Sequence, residues 1–359
     1  MLRIAIVVTA LVFVCTLQAV ALELSTPLSQ GAEQLICMPS GAMHAIRSMQ
    51  VDLPAGETEL AFDYAAEGLD AASVRLIPVS PPSGMVISAR HQRPDAAGRL
   101  FWAVNVPRTT TAHFRVWYVP KGIGVRPTYS LHRAGEARAE LRMSVTTSNG
   151  GKEPLEGLLV RLASGLSYQA SVPAGSEATQ ELFVLRDLPL STSVIYDEAA
   201  YGKQPMAIWT VQCPSRAQPL VSGPIGVFDG AAPGSALLGR ATLPFTPAGA
   251  EAELPVRPVP EYQVTGGLLE SVQQNARTDV YGKLALSDTL DSYECTFFNR
   301  SADPMELVFR VHAEGDWTIE RSSADYSRVD ATTAEWRVAA GPAQATTLTY
   351  SILKRSIIP

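Results

Sequence analysis

The stretch "VDLPAGETELAF", Val51–Phe62, sets a strand-like run, a Pro-Ala-Gly turn and a second strand-like run side by side. The same tripeptide recurs in "ASVPAGSEATQEL" (Ala170–Leu182) and "PFTPAGAEAELPV" (Pro244–Val256). Proline presets φ at about −65° and suits the second position of a type I turn, while glycine suits the fourth, just before a strand departs. Each copy is followed by an acid-containing run, "ETEL", "SEATQEL" or "AEAEL". Those acids are poor neighbours for a loop that would bind an anion through its amides. The tripeptide therefore reads as one corner, used three times to turn a strand into the next.

The segments between the corners agree. "VRLIPV" (Val74–Val79), "LFWAVNV" (Leu100–Val106), "HFRVWYV" (His113–Val119) and "MELVFRV" (Met305–Val311) carry β-branched and aromatic residues at a period near two. Turn signals separate such runs at roughly ten-residue spacing, and helical periodicity is scarce. The expected fold class is all-β, with two or three antiparallel β-sandwich-like modules and few helices. Asn149-Gly150, between "AELRMSV" and "LEGLLVRLA", predicts a tight hairpin. The Gly/Pro-punctuated "VPKGIGVRPTY" (Val119–Tyr129) and the polar Pro260–Lys283 segment with Gly266-Gly267 mark boundaries. The expected domains are 22–120, 121–265 and 266–359, after a leader at 1–21.

That leader is read from "MLRIAIVVTALVFVCTLQAVALE": an early Arg3, an apolar run and the small-x-small Ala19-Val20-Ala21. The pattern predicts a secretory signal peptide cleaved after Ala21, and hence a secreted or periplasmic protein with no membrane span after cleavage. A retained membrane anchor is the alternative. The chain has net charge −6 and no Lys/Arg run, which excludes nucleic acid as an expected partner. Cys37, Cys213 and Cys295 would remain, without C-x-x-C spacing. An oxidising compartment predicts one disulfide among them, with all three pairings open; the alternative is that all three are small buried hydrophobes.

Local catalytic signatures are sparse. His44, His91, His113, His132 and His312 show no zinc-ligand spacing, and neither G-x-S-x-G nor a Gly-rich phosphate loop occurs. No cofactor, no metal and no enzymatic activity are expected on that basis. Carboxylates drawn from separate strands could still serve glycoside hydrolysis, with Asp63, Glu67, Asp197, Glu198 and Asp316 as candidates. Among the tryptophans, Trp102 and Trp117 sit in apolar runs and are expected to be buried. Trp317 in "EGDWTIE" and Trp336 in "TAEWRVAA" lie in polar settings and are the candidate glycan contacts of a carbohydrate-binding module, although burial in the core is the favoured reading for them too. "NRS" at Asn299–Ser301 fits a glycosylation acceptor.

Several segments together resemble one family. "MQVDLPAGETELAFDYAAEGLDAASVRLIPV" is similar to the N-terminal module of mucoidy-inhibitor-A-like secreted bacterial proteins, with Leu53–Gly56, Leu69-Asp70 and Ser73–Arg75 in the matching positions. Pro127, Tyr129, Asn149, Leu162, Ser164 and Gly165 resemble the start of that family's C-terminal domain, a domain of unknown function. The closing stretch from Cys295 to Ile352, with "DWTIERSS" inside it, resembles the end of the same domain. The resemblance spans roughly residues 45–353. Family members often carry a coiled coil between the modules, which this chain lacks, and Arg126 stands where an aromatic is usual. The resemblance implies exported all-β modules of the envelope or exterior, with envelope protein or polysaccharide as partner and a link by name to exopolysaccharide. It implies no catalytic residue.

Overall fold

The computed structural model describes residues 22–23, 34–38, 42–63, 69–88, 90–92, 98–152, 154–230, 234–278, 280–281 and 284–357. The expected leader, 1–21, lies outside them. Strands hold 72% of the chain and helix 1%, so the fold is all-β. No helix among the described residues is long and apolar enough to cross a membrane.

The first strands are β1 (Leu22–Glu23), β2 (Gln34–Cys37), β3 (Met43–Leu53), β4 (Gly56–Asp63), β5 (Leu69–Pro78) and β6 (Val86–Ile87). They are followed by β7 (Arg99–Val106), β8 (Thr110–Pro120), β9 (Ile123–Gly135), β10 (Arg138–Asn149), β11 (Leu155–Arg161) and β12 (Ser167–Val172). The 22-residue β13 (Ser176–Asp197) leads into the short helix α1 (Glu198–Tyr201). Then come β14 (Met206–Gln212), β15 (Gly223–Asp229), β16 (Ala236–Leu243), β17 (Glu251–Pro258) and β18 (Tyr262–Thr278). The chain closes with β19 (Leu284–Asn299), β20 (Met305–His312), β21 (Asp316–Ser322), β22 (Tyr326–Arg328), β23 (Thr333–Ala340) and β24 (Ala345–Ile357).

Two compact units result: Met1–Val125 with Thr146–Ala178, and Arg126–Val145 with Thr179–Pro359. This differs from the linear division expected from sequence. The expected middle piece, 121–265, is shared between the units, and its end falls inside β18. Gly266 and Gly267 are not a linker. Both take positive φ within a strand that pairs with β19 on either side of them, so they mark an irregularity in the edge rather than an end to it.

The first unit holds a four-stranded sheet, β1-β4-β7-β6, and a six-stranded sheet, β12-β11-β2-β3-β8-β5. Strand β8 shows why they pack. Ala112, Phe114, Val116 and Tyr118 are buried while Thr111, His113 and Arg115 are exposed, the period of a half-buried strand. Tyr118 meets Phe62 of β4 at 6.1 Å between ring centroids, which joins the faces of the two sheets.

The second unit is built likewise. One sheet runs β16-β15-β9-β10-β13-β20-β23-β22, with β14 paired to β13 and β17 to β14; the other runs β18-β19-β24-β21. Phe309 and Trp336 of the first meet Phe297 and Tyr350 of the second, with centroids 4.8 Å apart for Trp336–Tyr350. Most pairs are antiparallel, but β13–β20 and β15–β9 are parallel, as are β1–β4 and β11–β2 in the first unit.

The Pro-Ala-Gly corners do turn one strand into the next, but none of them closes a hairpin. β3 and β4 belong to different sheets, as do β12 and β13, while β16 pairs with β15 and β17 with β14. Gly56, Gly175 and Gly249 all take positive φ. At the third corner Ala250 N donates to Pro247 O, which makes proline the first turn residue and glycine the third. That third position is the one where a type II turn demands positive φ, so glycine serves there rather than at the fourth place.

The expected Asn149-Gly150 hairpin is not formed. β11 pairs with β12 and β2, not with β10, and Gly150 lacks the positive φ that such a turn needs. Instead Asn149 is buried, donates through Nδ2 to Val172 O and Pro173 O, and accepts from Gly151 N. Asn299 repeats the device. It is fully buried, donates to Asp303 O, Ala340 O and Gly341 O, and accepts from Ser301. An amide so enclosed has no access to a glycosylating enzyme in the folded protein, which corrects the reading of "NRS" as an acceptor.

Candidate functional site

A recess of about 530 Å³ in the second unit lies beside the end of β13. Its walls are aromatic. Tyr196 stacks on Phe309 at 5.7 Å, and Tyr293 on Tyr350 at 4.9 Å with rings within 7° of parallel. Gly266, Gly267 and Leu268 of β18 line it too. A Cβ at Gly266 would meet Glu294 O at 2.1 Å, so only glycine lets the strand approach this closely.

Polar groups cluster at the α1 end. Asp197 caps α1, accepting from Ala200 N at 3.0 Å, and its other oxygen lies 2.8 Å from His312 Nε2. The register of β20 and β23 sets Thr333 opposite His312, and Thr333 Oγ1 lies 3.2 Å from Nδ1. As a carboxylate Asp197 only accepts, so Nε2 donates to it. In the neutral ring Nδ1 then accepts from the Thr333 hydroxyl. Hydroxyl, imidazole and carboxylate thus fall in the order of a hydrolytic triad. Thr333 and Asp197 are buried, 5% and 2% exposed, and the set ties β13, β20 and β23 together.

Arg310 lines the same recess but is spent internally. Nη1 and Nη2 reach the two Glu253 oxygens at 3.1 and 3.0 Å, and Nε reaches Glu335 at 2.7 Å. Burial alone would favour the neutral guanidine, but the two carboxylates outweigh it and raise its pKa. Cys295 is silenced differently. Burial first, then Glu198 and Glu294, push its thiol up to about 11, so it stays protonated at neutral pH.

Several expected site residues lie elsewhere. Trp317 and Trp336 are 1% and 0% exposed, which rules out the glycan-contact reading and agrees with the core one. Their polar edges are bonded inward, Trp317 Nε1 to Ala331 O and Trp336 Nε1 to Ser322 Oγ, both at 2.9 Å. In a β-strand the polar neighbours in sequence point to the opposite face, so their presence says nothing of the ring's own side. Cys37, Cys213 and Cys295 are all free thiols, so the expected disulfide is absent. Cys213 bonds across to Ala250, whereas Cys295 sits between Gly266 and Leu348 in its ladders, so neither has the other as a strand neighbour.

Among the candidate carboxylates, Asp197 lies under His312, Asp316 pairs with Arg355 at 3.2 Å, and Glu198 is exposed near Lys203. The side chain of Asp63 and all of Glu67 lie outside the described residues. No group of three or more His, Cys, Asp or Glu among the described residues is placed to hold a metal ion. Sequence reasoning missed the pairing of Asp197 with His312 because 115 positions separate them. Only the cap-like Asp197 before "EAAY" hinted at a local structure there.

Scanned against protein-family models the chain matches none, and a search of curated proteins brings up no similar sequence.

Proposed function

We propose that the protein is an exported, non-catalytic β-sandwich protein of the cell envelope or exterior, acting through contacts with protein or polysaccharide. The observation that carries this reading is the commitment of the reactive groups around the recess to the fold. Arg310 is held by two glutamates, His312 has both ring nitrogens engaged, and Cys295 is buried and protonated. What stays accessible is a concavity of binding size edged by the part-buried Tyr293 and the exposed Leu268, Glu198 and Lys203, which suits recognition. The leader-like residues 1–21 support export. The ordered strand-and-turn segments that resemble mucoidy-inhibitor-A-like proteins support an envelope role and the link to exopolysaccharide.

The test offers purified protein to neutral and acidic polysaccharides and to the producing cell's envelope fraction. The expected result is saturable binding without new reducing ends, weakened by Leu268→Arg at the rim of the recess. Release of reducing ends would replace this reading with a glycan hydrolase that draws its carboxylates from separate strands.

A further inference from the structure

In the first unit, β5 departs from its pairing with β8 between Asp70 and Arg75. The bulge leaves carbonyls of Ala71, Ala72 and Val74 turned away from the ladder. Two arginines converge on them. Arg75 Nη1 donates to Ala72 O at 2.8 Å and Val74 O at 2.9 Å. Arg90 Nη1 lies 2.7 Å from Ala71 O and 3.3 Å from both Ala72 O and Val74 O. Because they share Ala72 O, the two Nη1 atoms are within about 6 Å of each other.

Among the described residues neither guanidinium has a carboxylate partner, and only Nη1 of each is engaged. Each therefore keeps its Nε and Nη2 donors, the side-on fork that matches two oxygens of an oxyanion. The fork is pre-set, because the Nη1 bonds already hold the plane of the guanidinium. Both arginines line a recess of about 370 Å³ together with Ser88, Ile87 and the buried Trp102. Asp70 lies in the same bulge, but its Oδ1 accepts from Ala72 N, so among the described residues no carboxylate pairs with either guanidinium and the two like charges favour an anion.

We propose that Arg75 and Arg90 form a binding site for an oxyanion, a carboxylate or phosphate group held in the two forks with the Ser88 hydroxyl as a further donor. The site is separate from the aromatic recess and does not depend on what that recess binds.

The test uses the intact protein and phenylglyoxal, which modifies accessible guanidinium groups, with peptide mass mapping. Labelling is compared in chloride, inorganic phosphate and glucuronate at matched ionic strength. Phosphate or glucuronate is expected to slow labelling of Arg75 and Arg90 about three- to five-fold relative to chloride, leaving exposed Arg216 unchanged. Protection by glucuronate alone identifies a carboxylate ligand, and protection by phosphate alone a phosphate ligand. Equal labelling in all three salts, or equal protection of Arg216, overturns the proposal. As a second readout, phosphate or glucuronate should raise the melting temperature of wild type but not of Arg75→Lys/Arg90→Lys, which keeps the charges and loses the forks.

Discussion

Arg310 in the second unit and the Arg75–Arg90 pair in the first use one side chain for opposite ends. Arg310 is 15% exposed and shares two carboxylates, so its charge is cancelled where it lies. Arg75 and Arg90 are exposed and, among the described residues, bonded only to carbonyls, so their charge stays open to solvent and to whatever approaches. The difference lies in compensation. A buried charge must be paired to persist, whereas an exposed one can remain unpaired at little cost to stability. A charge within a recess is therefore weak evidence of function until its partners are counted.

The strongest way to break the comparison is to substitute one arginine of each kind. Arg310→Ala leaves Glu253 and Glu335 facing each other without a cation, and should cost about 3 kcal/mol in urea unfolding. Arg75→Lys should stay within about 0.5 kcal/mol. Similar losses at the two sites would show that compensation is not what separates them.

Burial silences a thiol by the same physics. With its pKa pushed up to about 11 from the ordinary thiol value of 9.0, Cys295 should alkylate about a hundred-fold more slowly than a free cysteine at pH 8. Full reactivity should appear only after denaturation. Rapid labelling of Cys295 in the native state would show that the interior is open to reagents. Failure to label it even in denaturant without reductant would show that it is disulfide-bonded.

Asn299 extends the argument to an uncharged group. Asn299→Ala removes an enclosed amide and leaves Ala340 O, Gly341 O and Ser301 N without their partner. The expected loss is about 2 kcal/mol, since each orphaned buried group carries its own desolvation cost. A loss below about 0.5 kcal/mol would mean that water replaces the amide there.

These sites also show what could be read in the chain beforehand. Strand identity was legible, because alternation such as Ala139, Leu141, Met143 and Val145 inward is a local property of β10. Strand partnership was not. Asn149-Gly150 carries the chemistry of a hairpin turn, but buried bonds to Val172 and Pro173 decide its conformation. The Pro-Ala-Gly corners announced a change of direction without revealing that each leads to another ladder. The polar neighbours of Trp317 and Trp336 kept a surface reading open beside the core one, because side-chain direction in a strand depends on register, which sequence neighbours do not report. The His312 fastener needs β13, β20 and β23 brought together, and no local pattern encodes that.

A smaller loss than at Asn299 is expected where the buried Asp291 meets the part-exposed Lys354. Burial would raise its carboxyl pKa, but hydrogen bonds from Ser271 and Lys354 and the ammonium's charge outweigh it and hold the value below the usual range. Lys354 shifts the other way, its ammonium favoured by Asp291 in spite of burial. A carboxylate whose folded pKa is depressed stabilises the fold above its unfolded pKa of about 3.9, and that contribution fades as pH falls through the folded value. For the raised lysine the contribution is complete below about pH 10.4 and fades as pH rises through its folded value. Lys354→Met should therefore cost about 1 kcal/mol at pH 7, and the gap to wild type should close toward pH 2. A gap that persists unchanged to pH 2 would assign the loss to packing of the lysine stem, and place Asp291 with the open charges of the first unit rather than the cancelled ones beside Arg310.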